Sequence, residues 1–160
     1  MMRSTILTLL ALGIGAAAGA AEPVVAISPT AQRQLLDSSD PQLAANKRLV
    51  WDMWREFLQA GHIDAADKYL AEEYHQHNPN AETGLAGVKA YFEAVGREPE
   101  ETRNHIDRLI SIVAERDLVV LALVREGVNS AGEAYTTTWF DMFRIEDGMI
   151  IEHWDTATMP

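Results

Sequence analysis

The chain has 160 residues, 48% of them hydrophobic, which suits one compact domain with its own core. Its formal net charge of −11 excludes nucleic acid and anionic membranes as partners of the mature protein, because both are bound through Lys and Arg that neutralise phosphates. Cysteine is absent, which excludes disulfides, a thiol nucleophile and thiolate metal ligands.

The first twenty residues have the features of a secretory signal peptide. Arg3 gives a positive start, residues 6–18 form an apolar run, and Ala18-Gly19-Ala20 is a small-residue cleavage site. A membrane anchor is the alternative, but the run is shorter than the roughly 20 residues of a spanning helix. We therefore expect a periplasmic or secreted protein with a signal peptide over 1–20, a flexible leader over 21–39 and a single domain over 40–160.

Helices are predicted in the first half of the domain. Asp40 and Pro41 form a cap followed by a first-turn proline, and they open a long helix over 40–61. Apolar spacing and capping residues predict a short second helix over 64–71 and a third helix over 85–95.

The second half of the domain is predicted to be strand, over residues 103–114, 118–128, 134–145 and 149–155. Helices that come first and a meander of strands that follows indicate an α+β domain. Its helices are expected on one face of a curved antiparallel sheet.

A histidine-rich segment separates the second and third predicted helices. Pro79 favours extended backbone at Asn78, so the segment is expected to be a short strand or loop at the rim of a cavity. Strand alternation places His75 and His77 on the same side. We predict that His77 orients or protonates a substrate, that Asn78 donates a hydrogen bond to a carbonyl, and that His75 lies beside them. A strand-edge histidine bonded to backbone is the alternative for His77.

The last two strands place ionisable side chains where a sheet should bury apolar ones. Glu146-Asp147-Gly148 is predicted to be a three-residue loop, which would set Asp141 opposite His153. A two-residue loop would instead align Asp141 with Trp154 and send Asp155 to the other face. Under the three-residue loop, one face carries Trp139, Asp141, Phe143, Ile145, Met149, Ile151, His153 and Asp155.

The order of these elements, with the motifs at 74–79 and 141–155, resembles the SnoaL-like polyketide cyclase and aldol-condensation group of the nuclear transport factor two-like superfamily. The resemblance covers residues 46–156. It implies a cone-shaped domain with three N-terminal helices packed on a strongly curved antiparallel or mixed sheet, enclosing an apolar pocket. It also implies a homodimer formed through the outer face of the sheet, where the exposed apolar residues are expected to be Phe140, Met142, Ile150 and Trp154.

The resemblance also assigns roles to two carboxylates. Asp155 falls where cyclases and limonene epoxide hydrolases of the superfamily keep an acid/base aspartate. Asp141 falls where ketosteroid isomerases keep an aspartic acid that hydrogen-bonds the substrate oxyanion. Two departures matter: residues 118–123 lack the histidine common in close relatives, and Arg125-Glu126 does not supply the Arg and Asp that epoxide hydrolysis needs. Epoxide hydrolysis is therefore disfavoured.

These features predict a protein that binds a small hydrophobic carbonyl compound and performs acid/base chemistry of the enolisation, cyclase or isomerase type on it, without a cofactor. The alternative is a non-catalytic ligand-binding or assembly domain, in which Asp141 pairs with His153 or Arg144 and serves the fold alone. No metal is predicted, because the histidines lack a recognisable ligand spacing. The predicted catalytic residues are Asp141, Asp155 and His77, and the predicted binding residues are Asn78, His75, Trp54, Tyr91, Trp139, Phe143 and His153.

Overall fold

A computed structural model describes residues 22–158. The predicted signal peptide lies outside the described residues. Among the helices of 22–158, none has both the length and the apolar character that crossing a membrane would require.

The helices precede most of the sheet, as predicted. The side chain of Asp40 caps the long helix by accepting a hydrogen bond from the backbone N–H of Gln42 at 2.8 Å. Gly96, with φ of 68°, ends the last helix in the left-handed conformation. The helical elements are α1 (Pro29–Gln32) continued by a 3₁₀ turn (Arg33–Leu36), α2 (Pro41–Met53) continued by a π-helix (Trp54–Gln59), a 3₁₀-helix (Ile63–Lys68) and α3 (Leu85–Val95).

Five strands form one mixed sheet in the order β1-β5-β4-β3-β2. The edge strand β1 runs parallel to β5, and the other neighbouring pairs are antiparallel. The α+β class is therefore confirmed. The strands are β1 (Leu70–Gln76), β2 (Leu109–Glu115), β3 (Leu118–Val128), β4 (Ala134–Glu146) and β5 (Met149–Asp155).

The sheet differs from the expected cone in its curvature, since it is not strongly curled. β3 and β4 pair without a register shift from Leu118 opposite Arg144 to Val128 opposite Ala134. A long ladder without bulges lacks the local kinks that bend a sheet sharply. Strong curvature was expected only from the resemblance, and no bulge or glycine pattern in these two strands calls for it.

Two element boundaries also differ from the prediction. The strand expected from residue 103 begins at Leu109, because Arg108 has φ of 62° and so interrupts extended backbone. The short second helix ends at Lys68, since Leu70 already begins β1.

The segment before the long helix, expected to be a flexible leader, is docked on the domain. The Gln32 amide donates a hydrogen bond to the Ile106 carbonyl at 2.8 Å and accepts one from the Ile106 N–H at 3.0 Å. The N–H of Ile27 also donates to the carbonyl of Leu109 at 2.8 Å. Gln32 is only 1% exposed, so its polar side chain is buried with its hydrogen bonds satisfied.

The hydrophobic core lies between α2 and the inner face of the sheet, where α2 contacts β2 and β3. Its largest fully buried apolar side chains are Phe143, Met53, Ile106, Leu109, Leu121 and Ile150. This layer is not filled throughout. A cavity remains between the C-terminal end of the long helix, α3 and strands β1, β4 and β5.

Candidate active site

The β4–β5 hairpin has a two-residue turn. Asp147 and Gly148 both have positive φ, 48° and 78°, which is the signature of a type I′ turn. Glu146 lies directly opposite Met149 across this turn. The three-residue loop predicted from the sequence is therefore wrong. Asp147 accepts the left-handed conformation that was assigned only to the glycine, as Asp does more readily than most residues.

A bulge in β5 compensates for the shorter turn. Ile145 pairs with Ile150, but the next residue back along β4, Arg144, pairs with Glu152. Ile151 is therefore an extra residue without a partner on β4. From the bulge onward, every residue of β5 is shifted by one position relative to β4.

The shift sets Asp141 directly opposite Asp155 and Phe143 directly opposite His153. Directly opposite residues share a face of the sheet, so the predicted grouping of these four side chains is correct. The predicted pairing of Asp141 opposite His153 is wrong, because the residue opposite Asp141 is Asp155, two positions further along β5. Ile150, which was assigned to the outer face, is fully buried beside the core.

These side chains form one wall of a cavity of about 250 Å³. The π-helix forms the opposite wall through Trp54, Phe57 and Leu58, and a widened helical turn of this kind is often found at functional sites. Phe57 packs edge-to-face on Phe92 of α3, with ring centroids 4.9 Å apart. Apart from this aromatic wall, the apolar lining comes from Met53, Leu70, Ala81, Val88, Tyr91 and Phe143.

The polar end of the cavity is built around the pair formed by Asp141 and His153. Oδ1 of Asp141 lies 2.9 Å from Nε2 of His153, and the residues are only 4% and 7% exposed. The imidazole stacks on Phe143, with centroids 4.7 Å apart. An aspartate and a histidine in hydrogen-bond contact are therefore almost fully removed from water.

Gln76 determines which nitrogen of His153 carries a proton. Its Oε1 accepts a hydrogen bond from the backbone N–H of Asn78 at 3.0 Å, which fixes the oxygen on that side of the amide. The same Oε1 lies 2.8 Å from Nδ1 of His153, so Nδ1 must be the donor. In the neutral imidazole, Nε2 then presents a lone pair to Asp141. The hydrogen bond between Nε2 and Oδ1 consequently requires one further proton, carried by one member of the pair.

Burial raises the pKa of Asp141 above its ordinary value. The hydrogen bond and charge of His153 oppose this rise, as does the side chain of Trp139, and the nearby charge of Asp155 adds to it. Oδ2 of Asp141 has no hydrogen-bond partner among the described residues, which disfavours a charged carboxylate further. Burial thus favours a proton on Asp141, whose Oδ1 is placed to donate it to Nε2 of His153.

Asp155 has a different environment on the neighbouring strand. Its Oδ2 accepts a hydrogen bond from Nδ2 of Asn78 at 2.6 Å, and its Oδ1 accepts one from the N–H of Ala157 at 2.8 Å. The orientation of the Asn78 amide is fixed, because its Oδ1 accepts from the N–H of Asn80 at 2.9 Å. Both oxygens of Asp155 are therefore acceptors, whereas Asp141 is placed to hold a proton.

Most of the predicted site residues meet at this cavity. Trp139 lines a neighbouring groove that shares Trp54 as a wall. The cavity itself is lined by the predicted residues Asp141, Asp155, Asn78, Trp54, Tyr91, Phe143 and His153.

His75 and His77 lie on the opposite face of β1, outside the cavity. His77 is exposed, with Nε2 2.8 Å from Oε1 of Glu152, and its ring stacks on Trp154 at 5.0 Å. His75 is exposed and pairs with Glu152 along the strand. The prediction that His75 and His77 share one side of the strand is correct, but that side faces away from the cavity. The prediction that these two histidines contact a substrate in the cavity is therefore wrong.

Tyr74 and Gln76 occupy the inner positions instead, and sequence reasoning missed both. Tyr74 is 3% exposed, and burial raises the pKa of its phenol, with the charges of Asp141 and Asp155 adding to the rise. The phenol therefore stays protonated beside the carboxylates. The signal was Tyr74 itself: as the large aromatic of the segment it marks the buried side, and alternation then points Gln76 and Asn78 inward.

Three of these side chains could also hold a divalent cation. Asp141, His153 and Asp155 each offer one ligand atom, and these atoms lie within 4.8 Å of one another. Nδ1–H donation to Gln76 is the arrangement that supports a metal-bound imidazole. However, Nε2 is already engaged by Oδ1 of Asp141, so one proton and one cation compete for the same position.

The sequence places the chain in a known family. A model of the SnoaL-like domain matches residues 51–153, more than half of the chain, so this protein belongs to the SnoaL-like domain family. No curated protein sequence matches it.

Solved structures share the fold at low identity. A candidate polyketide cyclase from Acidithiobacillus ferrooxidans is 22% identical with a TM-score of 0.54, and the match covers 74% of this chain and 89% of that one. A nuclear transport factor two-like protein of unknown function from Burkholderia pseudomallei is 16% identical, with a TM-score of 0.50 and coverages of 71% and 91%. An LEH-like epoxide hydrolase from M. tuberculosis is 18% identical, with a TM-score of 0.52 and coverages of 72% and 84%. At these identities the likeness shows the fold, and chemistry must be argued from the site.

Proposed function

We propose that the cavity binds a small hydrophobic carbonyl compound and that Asp155 and the Asp141–His153 pair enolise it without a cofactor. The observation that carries this proposal is the contrast between two carboxyl groups that lie directly opposite each other. Burial and the nearby charge of Asp155 favour a proton on Asp141, while two N–H donors hold Asp155 as an acceptor. Neighbouring carboxyls with opposite proton states can act as acid and base.

In the proposed reaction, a carboxylate oxygen of Asp155 removes a proton from the carbon next to the substrate carbonyl. The electrons of the broken C–H bond form the enol double bond, and the carbonyl π electrons move to oxygen. That oxygen takes the proton of the Asp141–His153 pair, so the negative charge passes from Asp155 to Asp141. Cyclisation, isomerisation or aldol-type bond formation can start from such an enol.

The cavity limits the size of the ligand. Its volume of about 250 Å³ lies just below the usual range of roughly 300–1,000 Å³ for small-molecule sites. A compound with one or two rings is therefore a better candidate than a multi-ring polyketide. The aromatic wall of the π-helix and α3 favours a flat, apolar body.

The second candidate function is ligand binding without catalysis. The hydrogen bond between Asp141 and His153 is complete without a ligand, and the buried Oδ2 of Asp141 has no partner among the described residues. A binding domain would use the apolar wall and keep the Asp141–His153 pair as a structural element.

We further propose that the mature protein acts in the periplasm or outside the cell, with an N-terminus at or near Ala21. An intact N-terminus on protein from a cytoplasmic fraction would reject that location.

The experiment that separates the two functions measures binding and proton abstraction on the same compound. Small aryl ketones, such as methyl 4-acetylbenzoate, are screened by thermal shift, because a ligand of the native state raises its apparent stability. Each ligand is then incubated with the protein in D₂O, and deuterium at the carbon next to the carbonyl is followed by NMR. Exchange well above the buffer rate supports enolisation. Binding without exchange would instead support the binding-domain alternative.

A further inference from the structure

A second, open groove of about 380 Å³ adjoins the cavity and shares Trp54 with it as a wall. Trp139, two residues before Asp141 on β4, lines the groove on the same face of the sheet. Arg125 of β3 lines it as well, and it lies opposite Thr137 in the β3–β4 ladder. The groove therefore continues the active-site wall along β3 and β4, toward the turn that joins these two strands.

Arg125 differs from the other charged residues of this groove. Arg108 is paired with Glu126 at 3.1 Å, and Asp107 is paired with His105 at 3.1 Å. Within residues 22–158, no carboxylate lies within salt-bridge distance of Arg125. Its guanidinium carbon instead lies 4.3 Å from the centre of the Trp139 ring, in a cation–π contact.

Arg33 and Arg48 also lack a salt bridge among the described residues, but of these three arginines only Arg125 lines the groove and stacks on an indole. A guanidinium resting on an indole is also restricted in its motion, and its N–H donors remain available to a partner. Planar, bidentate recognition of a carboxylate is the interaction that suits such a group. The charge and geometry of the groove thus match an anionic ligand group.

We propose that Arg125 binds a carboxylate on the substrate, so that the substrate is an oxo acid whose carbonyl part occupies the cavity. This inference rests on the proposed function and adds a substrate class to it. Trp139 and Asp141 are two residues apart on a strand, a distance of about 7 Å. With the guanidinium stacked on Trp139, the carboxylate lies roughly 7 to 10 Å from the carbon that loses its proton.

The test compares an acid with its neutral ester. 4-Acetylbenzoate and methyl 4-acetylbenzoate share the aryl ketone and differ only in the charge at the far end. Their Kd values are measured by titration calorimetry on the wild-type protein and on Arg125→Gln, Arg125→Lys and Arg33→Gln. Arg33 is exposed and outside the groove, so the last variant controls for the loss of one positive charge.

We expect the wild-type protein to bind the acid about tenfold more tightly than the ester, as one charge-assisted hydrogen-bonded contact provides. Arg125→Gln should weaken binding of the acid until it is no tighter than that of the ester, Arg125→Lys should keep part of the preference, and Arg33→Gln should keep all of it. Equal binding of acid and ester by the wild-type protein, or a preference that survives Arg125→Gln, would overturn the proposal while leaving ketone binding in place. Binding of neither compound would contradict the proposed function and this inference together.

Discussion

Asp141 and Asp155 lie directly opposite each other on neighbouring strands, yet the structure surrounds them with different partners. Asp141 is buried beside His153, and the hydrogen bond between its Oδ1 and Nε2 of the imidazole requires a proton on one of the two atoms. Asp155 instead accepts hydrogen bonds on both oxygens. The proposed acid/base chemistry depends on this asymmetry. The predictions below test it.

Asp141→Asn should leave the fold nearly intact and remove proton transfer. The Asn amide can donate to Nε2 of His153 as the protonated acid does, so the free energy of unfolding should change by less than about 1 kcal/mol. Exchange of the substrate proton in D₂O should fall by at least about 100-fold, the usual contribution of a general acid or base. Glu146→Gln, which removes an exposed carboxylate from the same strand, is the matched control and should change neither quantity.

Asp155→Asn should reduce exchange to a similar extent, and the double variant should lose little more, because the two groups act as a unit. The opposite pattern is also clear. If Asp141 is a structural ion-pair partner of His153, Asp141→Asn should destabilise the protein by about 1 to 3 kcal/mol. Normal exchange in the remaining folded fraction would then show that these carboxylates serve the fold.

Gln76→Met tests whether Gln76 fixes the tautomer of His153. Met fills a similar volume but removes the acceptor of Nδ1–H, so the imidazole should redistribute its proton between the two nitrogens. ¹⁵N chemical shifts of His153 should show an Nδ1–H tautomer in the wild-type protein and a mixture in the variant. The substitution should also lower the free energy of unfolding by about 1 to 3 kcal/mol, because Nδ1–H of His153 and the N–H of Asn78 lose their acceptor. An Nε2–H tautomer in the wild-type protein would contradict the proton arrangement inferred here.

The raised pKa of Asp141 sets the sign of a pH effect on stability. A carboxyl whose pKa is higher in the folded state contributes stability that is complete below its unfolded pKa of about 4, and this is lost as pH rises through the raised pKa. The free energy of unfolding of the wild-type protein, minus that of Asp141→Asn, should therefore fall as pH rises from about 4 and then level off. Urea unfolding across this range measures the difference. A difference that increases with pH would indicate a carboxylate stabilised by protonated His153.

Chelation should leave the melting temperature unchanged. In the proposed function a proton, and not a cation, lies between Oδ1 of Asp141 and Nε2 of His153. A chelator should therefore remove no ion from the site. The check is dialysis against EDTA followed by thermal unfolding, with Zn²⁺ or Mg²⁺ restored in a second sample. A fall of more than about 3 °C, roughly 1 kcal/mol for a domain of this size, would show that a metal stabilises the fold, with Asp141, His153 and Asp155 as its candidate ligands.

The outer face of the sheet should form a homodimer interface. An apolar row crosses four strands of this face. Each of its residues lies directly opposite the next on the neighbouring strand, in the order Val113 on β2, Val120 on β3, Met142 on β4 and Trp154 on β5. Phe140, 47% exposed, lies beside it. An apolar surface of this kind, exposed at Val113 and Phe140 and partly exposed at the other three residues, usually marks an interaction site.

Light scattering at micromolar concentration should give twice the mass of one chain, and Val113→Glu should convert the protein to monomer. Val25→Glu is the matched control, because Val25 is 76% exposed and belongs to the leader, while Val113 is 57% exposed. A monomeric wild-type protein, or equal effects of the two substitutions, would reject the interface.

Much of the helical layout could be predicted because local signals determine it. Asp40 caps α2, and α3 spans Leu85–Val95 as expected. The face shared by Asp141 and Asp155 was also correct, although the turn was not. Asp147 was the source of that error: Asp-Gly is a common type I′ pair with positive φ at both residues, but the prediction assigned positive φ to Gly148 alone.

The inner face of β1 could not be derived from alternation alone. Alternation groups His75 with His77 but leaves open which group faces inward. The parallel pairing of Gln76 with His153 settles it, and that contact joins residues 77 positions apart in the chain. Likewise, the relation between Arg125 and Trp139 depends on the register of β3 against β4, which neither strand specifies by itself.

The turn at Asp147-Gly148 and the bulge at Ile151 constrain how the gene can change. Deleting Ile151 alone would rotate His153 and Asp155 to the outer face of the sheet, because successive side chains alternate. Adding one residue to the turn alone would break the type I′ geometry and shift the same two side chains. Loss of the bulge together with gain of one turn residue preserves the inner face. Homologues that retain this site should therefore vary in the hairpin only through such paired insertions and deletions, and single-residue length changes should coincide with loss of the Asp141–His153 contact.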